Sequence, residues 1–338
     1  MTSPHDMVPP AERLRQLCTG SWIAQAIYAA AKLGLADLLM EGPKPCTALA
    51  EATGTDPTAL FRLLRALSSV GVFEQLPDDQ FRLTPLAECL NSKPGSQRAM
   101  AIMMGEEHYL AWGEILYSLK TGKVAFDKIF GSSVFDFLAH HADKAAIFDE
   151  AMTGVHGAEY AAMLEAYDFN SIQTLADVGG GNGTLLRTIM QRYPHMHGIL
   201  FDLEHVVERA RQNPANASII PRCRFLAGSF FDSVPSGADA ILMRHIIHDW
   251  TDEQCHAILK NCRNALCPGG RVLIVESVIP PGNDPNWTKF LDLNMMIIPG
   301  GKERTKAEFT SLLHQAGFQL ERIVPTRIEL SIIVGRLG

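Results

Sequence analysis

The spacing of apolar positions changes character once along the chain. Over residues 11–100 apolar side chains, mostly Ala and Leu, recur every three and four positions, the period of helices with one buried face. Beyond Leu175 short apolar runs alternate with helical stretches. That alternation predicts strands at 174–178, 198–202, 223–226, 239–244, 271–276, 319–325 and 329–336. The last two are joined by a short link and predict an antiparallel hairpin at one edge of a mostly parallel seven-stranded sheet. Residues 101–170 are helical again, with more Met and aromatic residues. The expected organisation is therefore 1–100, a helical linker 101–170 that contributes to a substrate pocket, and an α/β domain over 171–338.

Local signals sharpen the first segment. After a long helix at about 11–40, Thr47 and Asp56 are candidate N-caps, Pro57 suits a first helical position, and Gly54 suits a helix stop. Val72–Gln75 and Gln80–Leu83 read as strands of a hairpin turning at Pro77-Asp78-Asp79. Helix, short helix, helix and hairpin form the order of a winged helix, an all-α domain with the hairpin as its wing.

Composition narrows the function classes. Of 338 residues, 47% are apolar and 20% charged, and the net charge of −7 gives no basic face for nucleic acid or an anionic membrane. Residues 1–100 hold 9 Lys and Arg against 10 Asp and Glu, which disfavours a DNA-binding regulator. No apolar run is long enough to span a bilayer, and MTSPHDMVPP lacks the layout of a signal peptide. Seven cysteines without paired spacing read as reduced thiols. The expected location is cytoplasmic.

The chemistry lies where the predicted strands end, since open α/β sheets bind ligands beyond their carboxyl edge. After the first strand comes Asp177-Val178-Gly179-Gly180-Gly181-Asn182-Gly183-Thr184, where glycines let backbone N–H groups approach a ligand. It fails the dinucleotide fingerprint, because Thr184 and Leu186 stand where a third glycine is needed, and it lacks a P-loop lysine. Asp202, 19 positions beyond Gly183, is placed to accept both hydroxyls of a ribose, although an aspartate there could equally cap a helix. Gly228-Ser229-Phe230-Phe231 follows the third strand and offers a hydroxyl and aromatic faces for a purine. The fourth ends in Arg244-His245-Ile246-Ile247-His248-Asp249-Trp250. His245, His248, Cys255 and His256 fit no standard zinc spacing, so a proton-transfer role suits these histidines better than a metal. Glu276 ends the fifth strand, where a carboxylate could either meet solvent or hold an imidazole.

In combination these residues carry a family likeness. Asp177–Gly183, Phe201-Asp202-Leu203, His248-Asp249-Trp250-Thr251-Asp252-Glu253-Gln254-Cys255, Pro268-Gly269-Gly270 and Gly300-Gly301-Lys302-Glu303-Arg304-Thr305 resemble the S-adenosylmethionine (SAM)-dependent O-methyltransferases of the caffeic acid and acetylserotonin type. The likeness covers nearly the whole chain. It implies a Rossmann-like methyltransferase domain, SAM as cofactor, a metal-independent reaction, and a homodimer built through the N-terminal winged helix. It also implies that His248 is the general base, flanked by Glu276 and Glu303. Asp177, Gly179, Gly181, Asp202, Leu203, Gly228, Ser229, Phe230 and Arg244 would then hold the cofactor. Two positions depart from the pattern. Gly228-Ser229-Phe230 replaces a common Gly-Asp-Met, exchanging an acidic adenine contact for a hydroxyl, and Arg244 replaces the lysine of plant members.

The implied acceptor is a small, mainly apolar, aromatic molecule of the kind found in natural-product pathways. Candidate substrate residues are Met103, Met104, His108, Trp112, Phe126, Phe130, Met152, Asp292, Asn294, Met295 and Ile298, each of which core packing could also explain. Asp292 and Asn294 stand where relatives often meet polar groups of the substrate. Methylation at carbon or nitrogen, or a relative that has lost methyl transfer, would preserve the same fold.

Overall fold

The computed structural model describes residues 8–338, except the side chains of residues 153 and 155–158. The opening MTSPHDM, part of the leader expectation, lies outside the described residues. The chain forms two compact units. One runs through Gly113 and includes Val134–Gly157; the other comprises Glu114–Ser133 and Ala158–Gly338. Residues 101–170 are thus shared between them.

In the first unit the expected helix over 11–40 is three helices, Pro10–Cys18, Gly20–Lys32 and Leu35–Leu38. It breaks at Thr19, whose backbone leaves the helical region, and at Gly34, which takes a left-handed φ of 66° that only glycine adopts readily. Helix Cys46–Thr53 starts without a side-chain cap, so Thr47 is not the N-cap; Pro45 occupies that place. The other local signals act as expected. Gly54 closes that helix, and the Asp56 carboxylate accepts from the Ala59 N–H at the head of Pro57–Ser69. Strands β2 (Phe73–Gln75) and β3 (Gln80–Leu83) form the hairpin, and a two-residue strand β1 (Lys44–Pro45) pairs with β3. Asp78 and Asp79 make its turn with φ of 58° and 52°. Leu49, Leu60, Leu64, Phe73 and Phe81 bury the inner faces of these elements.

The second unit is built on a seven-stranded sheet. Its strands are β4 (Thr174–Val178), β5 (His197–Asp202), β6 (Cys223–Ala227), β7 (Ala238–Arg244), β8 (Leu266–Glu276), β11 (Phe318–Pro325) and β12 (Ser331–Leu337). They lie in the order β11-β12-β8-β7-β4-β5-β6, with β4 to β8 parallel and β12 antiparallel to both its neighbours. The central strands read as unbroken apolar runs because both faces are covered. One face packs on helices Asp252–Ala265 and Lys306–Gln315, through Ile258, Leu259, Phe309 and Leu313. The other packs on Thr184–Arg192 and Glu204–Gln212, through Leu186, Ile189 and Val207. The order of successive strands reverses at β4, with β5 on one side and β7 on the other. That switch point opens a crevice beyond the carboxyl ends.

One small feature was not predicted. Beyond β8, a parallel pair of two-residue strands, β9 (Val278–Ile279) and β10 (Arg304–Thr305), sets Arg304 opposite Val278. Two residues are too few to leave a periodic signal, yet this pairing brings Glu303 to the carboxyl edge of the sheet.

Candidate active site

The glycine loop after β4 is backbone-specified. Gly179, Gly181 and Gly183 have φ of 72°, 56° and 79°. At Gly179 a Cβ would also run into the Ile246 side chain. The Gly181 N–H donates to Asp202 Oδ2 at 2.8 Å, and the Leu203 N–H donates to Oδ1 at 2.7 Å. A carboxylate has about four lone-pair sites, so Asp202 keeps acceptor capacity for two ribose hydroxyls. Leu203 is exposed beside it. Asp177 is buried, one of its carboxylate oxygens has no hydrogen-bond partner, and burial pushes its carboxyl up to about 7.

The residues expected on the purine side follow β6. A Cβ on Gly228 would sit 2.8 Å from the Phe201 ring, which would have to shift to admit it. The Ser229 hydroxyl accepts from the Phe231 N–H at 3.2 Å, while Trp250 packs edge to face on both Phe230 and Phe231, whose own rings are tilted to each other. Asn261 fixes the loop by donating to both the Phe230 and Phe231 carbonyls at 2.9 Å. Positive-φ glycines, a ribose-type carboxylate and an aromatic wall together fit a nucleoside cofactor. Arg244 has a protein partner of its own: its guanidinium pairs with Glu159 at 2.8 Å and lies over the Tyr160 ring. Glu159, from helix Ala142–Ala166, also meets the His245 ring at 3.1 Å.

His248 occupies a single 3-10 turn, Ile247–Asp249, just past β7. His245, before it, has a φ of 53°, a left-handed value uncommon for a residue with a side chain. The His248 Nδ1 lies 2.7 Å from Glu303 Oε1, and the His248 N–H donates to Glu276 Oε1 at 2.9 Å. The glutamates therefore divide the work differently from expectation. Glu303 holds the ring, and Glu276 holds the main chain. Asp249 Oδ1 stands 3.5 Å from the other ring nitrogen, Nε2. Burial opposes a charge on the ring, but Asp249, Glu303 and Glu276 together outweigh it and push His248 up to about 10. Glu276 is itself pushed up by burial, and one oxygen of each glutamate is buried without a hydrogen-bond partner.

Gly301, in the Gly300-Gly301-Lys302-Glu303 segment, is dictated by approach to this turn. A Cβ on Gly301 would collide with the His248 carbonyl and the Asp249 backbone. Close approach lets the Lys302 N–H donate to the His248 carbonyl at 2.9 Å, and the Glu303 N–H donate to Asp292 Oδ1 at 3.0 Å. Asp292 thus supports Glu303 directly.

Of the other substrate candidates, Met103, His108, Trp112 and Met152 belong to the first unit. Phe126, Asn294 and Ile298 belong to the second, with Asp292. Met103, Phe126 and Ile298 are core residues by burial. His108 is buried with an unpartnered Nδ1, and burial lowers it to about 4, so its ring is neutral. Sequence reasoning gave no role to Asp249, Glu159 or Arg304. Asp249 and Arg304 stand in the motifs of the family likeness, but their contacts depend on the geometry of the turn and on partners about 50 positions away, and Glu159 meets Arg244 only across 85 positions.

A Rossmann-like sheet with a glycine loop at its switch point and an acid–imidazole pair beyond β7 is compatible with an enzyme that uses a nucleoside cofactor. Comparison with known proteins agrees. An O-methyltransferase domain matches residues 112–319 and an O-methyltransferase dimerisation domain matches residues 15–93. The chain belongs to the O-methyltransferase family, whose members are SAM-dependent. It is 43% identical to a phenazine O-methyltransferase of Lysobacter antibioticus, over 97% of each chain. It is 36% identical to the 8-amino-8-demethylriboflavin N,N-dimethyltransferase of Streptomyces davaonensis, over 93% of this chain and 92% of the relative. Its structure resembles that of human N-acetylserotonin methyltransferase in complex with SAM, with a TM-score of 0.88 at 28% identity over all of both chains.

Proposed function

We propose that this enzyme moves a methyl group from SAM to a hydroxyl oxygen of a small aromatic molecule, with His248 as the proton acceptor. The observation that carries this reading is the 2.7 Å contact between His248 Nδ1 and the buried Glu303, at the switch point beside the glycine loop. Bound SAM supplies a methyl group already activated on a sulfonium. The protein's part is then alignment and proton removal. Asp177, Gly179, Gly181, Asp202, Leu203, Gly228, Ser229 and Phe230 would hold the cofactor. Arg244 would act from its pair with Glu159.

With Nδ1 donating to Glu303, Nε2 is the nitrogen left to take a proton. A phenol has a pKa of about 10, and His248 is raised to about 10, so transfer between them is close to balanced. Asp249, Glu303 and Glu276 stabilise the imidazolium that results. Asp292 and Asn294, on helix Thr288–Ile297, are the polar candidates for orienting the acceptor. Turnover with labelled SAM over phenols, flavonoids, phenazines, indoles and polyketides tests the reading, with mass spectrometry locating the methyl. A methyl on oxygen supports it. A methyl on nitrogen would favour the second reading, which rests on the riboflavin-type N,N-dimethyltransferase among the relatives.

We also propose that residues 1–100 act as a winged-helix dimerisation domain of a cytoplasmic homodimer. Leu14, Leu17 and Trp22 of its first two helices are 62%, 70% and 73% exposed, apolar surface of the kind a partner copy covers. Analytical ultracentrifugation reads the outcome: a dimer that Trp22→Glu dissociates is expected, and a monomeric wild type overturns it.

A further inference from the structure

Arg304 is a fully buried side chain, so its guanidinium does not meet solvent. Burying such a charge is costly unless its donors are matched. Here they are matched by the segment that bears His248. Nη1 donates to the Ile247 carbonyl at 3.0 Å, and Nη2 donates to the Trp250 carbonyl at 3.0 Å. The two carbonyls belong to residues on either side of His248-Asp249. Nε and Nη2 both donate to Asp252 Oδ1, at 3.1 and 2.8 Å, and Nη2 meets Cys255 Sγ at 3.3 Å. Nη1 also reaches back to the Lys302 carbonyl at 3.3 Å. The same residue is fixed along the chain by β10, opposite Val278, and its predecessor is Glu303.

We propose that Arg304 is the positioning residue that sets His248 against Glu303, by clamping the turn that carries one to the strand that carries the other. The inference rests on His248 as the proton acceptor. A planar fork with fixed donors can hold two carbonyls and a carboxylate in one geometry; a lysine has a single centre and cannot. Arg304 reaches the imidazole only through the backbone, so its effect is on where the ring stands. The groups that face that ring are Asp249 beside it, Glu276 from the end of β8, Glu303 from before β10, and the His245 ring at 5.2 Å between centroids.

Arg304→Lys tests the clamp. Steady-state turnover, SAM affinity by calorimetry and the titration of the His248 ring by NMR are read on the same protein, the ring signal being assigned with His248→Gln. The expected result is a fall in kcat of about 10²-fold, the scale of a misplacement of about 1 Å, with SAM affinity within about twofold of wild type. The ring's titration midpoint moves down as its carboxylate partner loosens. Wild-type kcat with a wild-type ring titration overturns the proposal. So does a general loss of stability and SAM binding with the ring titration unmoved, the mark of a merely structural role. If Arg304→Lys does not fold, Asp252→Asn decides, since it removes the half-exposed anchor of the fork. A smaller shift in the same direction supports the clamp, and an unmoved ring titration overturns it. The ring readout is independent of turnover. If His248→Gln stays active, the proton-acceptor reading fails while the coupling of Arg304 to the ring is still measured.

Discussion

Glu303 Oε1 meets His248 Nδ1 at 2.7 Å across 55 positions of sequence, and both groups are buried. A carboxylate in that place fixes the tautomer of the ring, so that Nε2 is the basic nitrogen, and stabilises the charge the ring acquires.

Removing the ring tests its role most directly. His248→Gln keeps a polar group of similar reach and leaves the glycine loop untouched. Turnover is expected to fall by about 10²–10⁴-fold, the usual worth of a positioned base, while SAM affinity measured by calorimetry stays near wild type. Undiminished turnover would take His248 out of the reaction.

The carboxylate cluster sets a pH dependence. His248 is raised to about 10, and only its neutral form can accept a proton, so kcat should climb from neutral pH toward that value. Glu303→Gln removes one source of the raised value. Its limb should therefore shift to lower pH, with a lower plateau because the weakened base is also less well oriented. An unshifted pH–rate profile in the variant would show that Glu303 does not tune the ring.

Gly301→Ala should act on the site before the fold. The added Cβ collides with the His248 carbonyl, so the Lys302 bond to it must lengthen and Glu303 must withdraw from the ring. Activity is expected to drop by about 10-fold or more, a larger effect than any fall in thermal midpoint. Equal activity of the two proteins would mean that the segment can retreat without moving Glu303.

Burial of Asp177 gives a stability prediction of definite sign. Its folded-state carboxyl is raised from an ordinary 3.8 to about 7, chiefly by burial. The stability this contributes is full below pH 3.8 and is lost as pH rises through 7. Asp177→Asn is neutral at every pH. It should match wild type in urea unfolding near pH 4 and exceed it above pH 7, by on the order of a few kcal/mol. A variant no more stable than wild type at pH 8 would show that the buried carboxylate has a partner when ionised.

The glycine loop offers a graded test of cofactor binding. Gly181→Ala meets open space but must hold a φ of 56°, whereas Gly179→Ala combines a φ of 72° with a collision against Ile246. SAM affinity should weaken in both, by roughly 10-fold for Gly181→Ala and further for Gly179→Ala. The reverse order in calorimetry would remove the Ile246 contact as the tighter constraint.

The sheet was legible in the sequence because its strands are buried on both faces and stand out as apolar runs between helices. All seven predicted strands are present within a few residues, including the antiparallel edge formed by β11 and β12. The glycine loop, Asp202 and the His248 turn were legible for a related reason, since each follows a strand whose end can be counted. The long helix at 11–40 was less so, because Thr19 and Gly34 interrupt a pattern whose period continues across them.

What the sequence by itself determined, then, is the set of elements and which chemical groups stand at their ends, properties carried by local spacing. The tertiary structure decided which of those groups meet. It gave Glu303 to the His248 ring and Glu276 to its main chain, tied Arg244 and His245 to Glu159, and buried Arg304 beneath the turn. The physical reason is that these contacts join residues 28 to 86 positions apart, and that those of Glu303 and Arg304 also rely on a two-residue strand pair and a bare glycine backbone. Neither leaves a period in the sequence, and both depend on how closely two segments can approach.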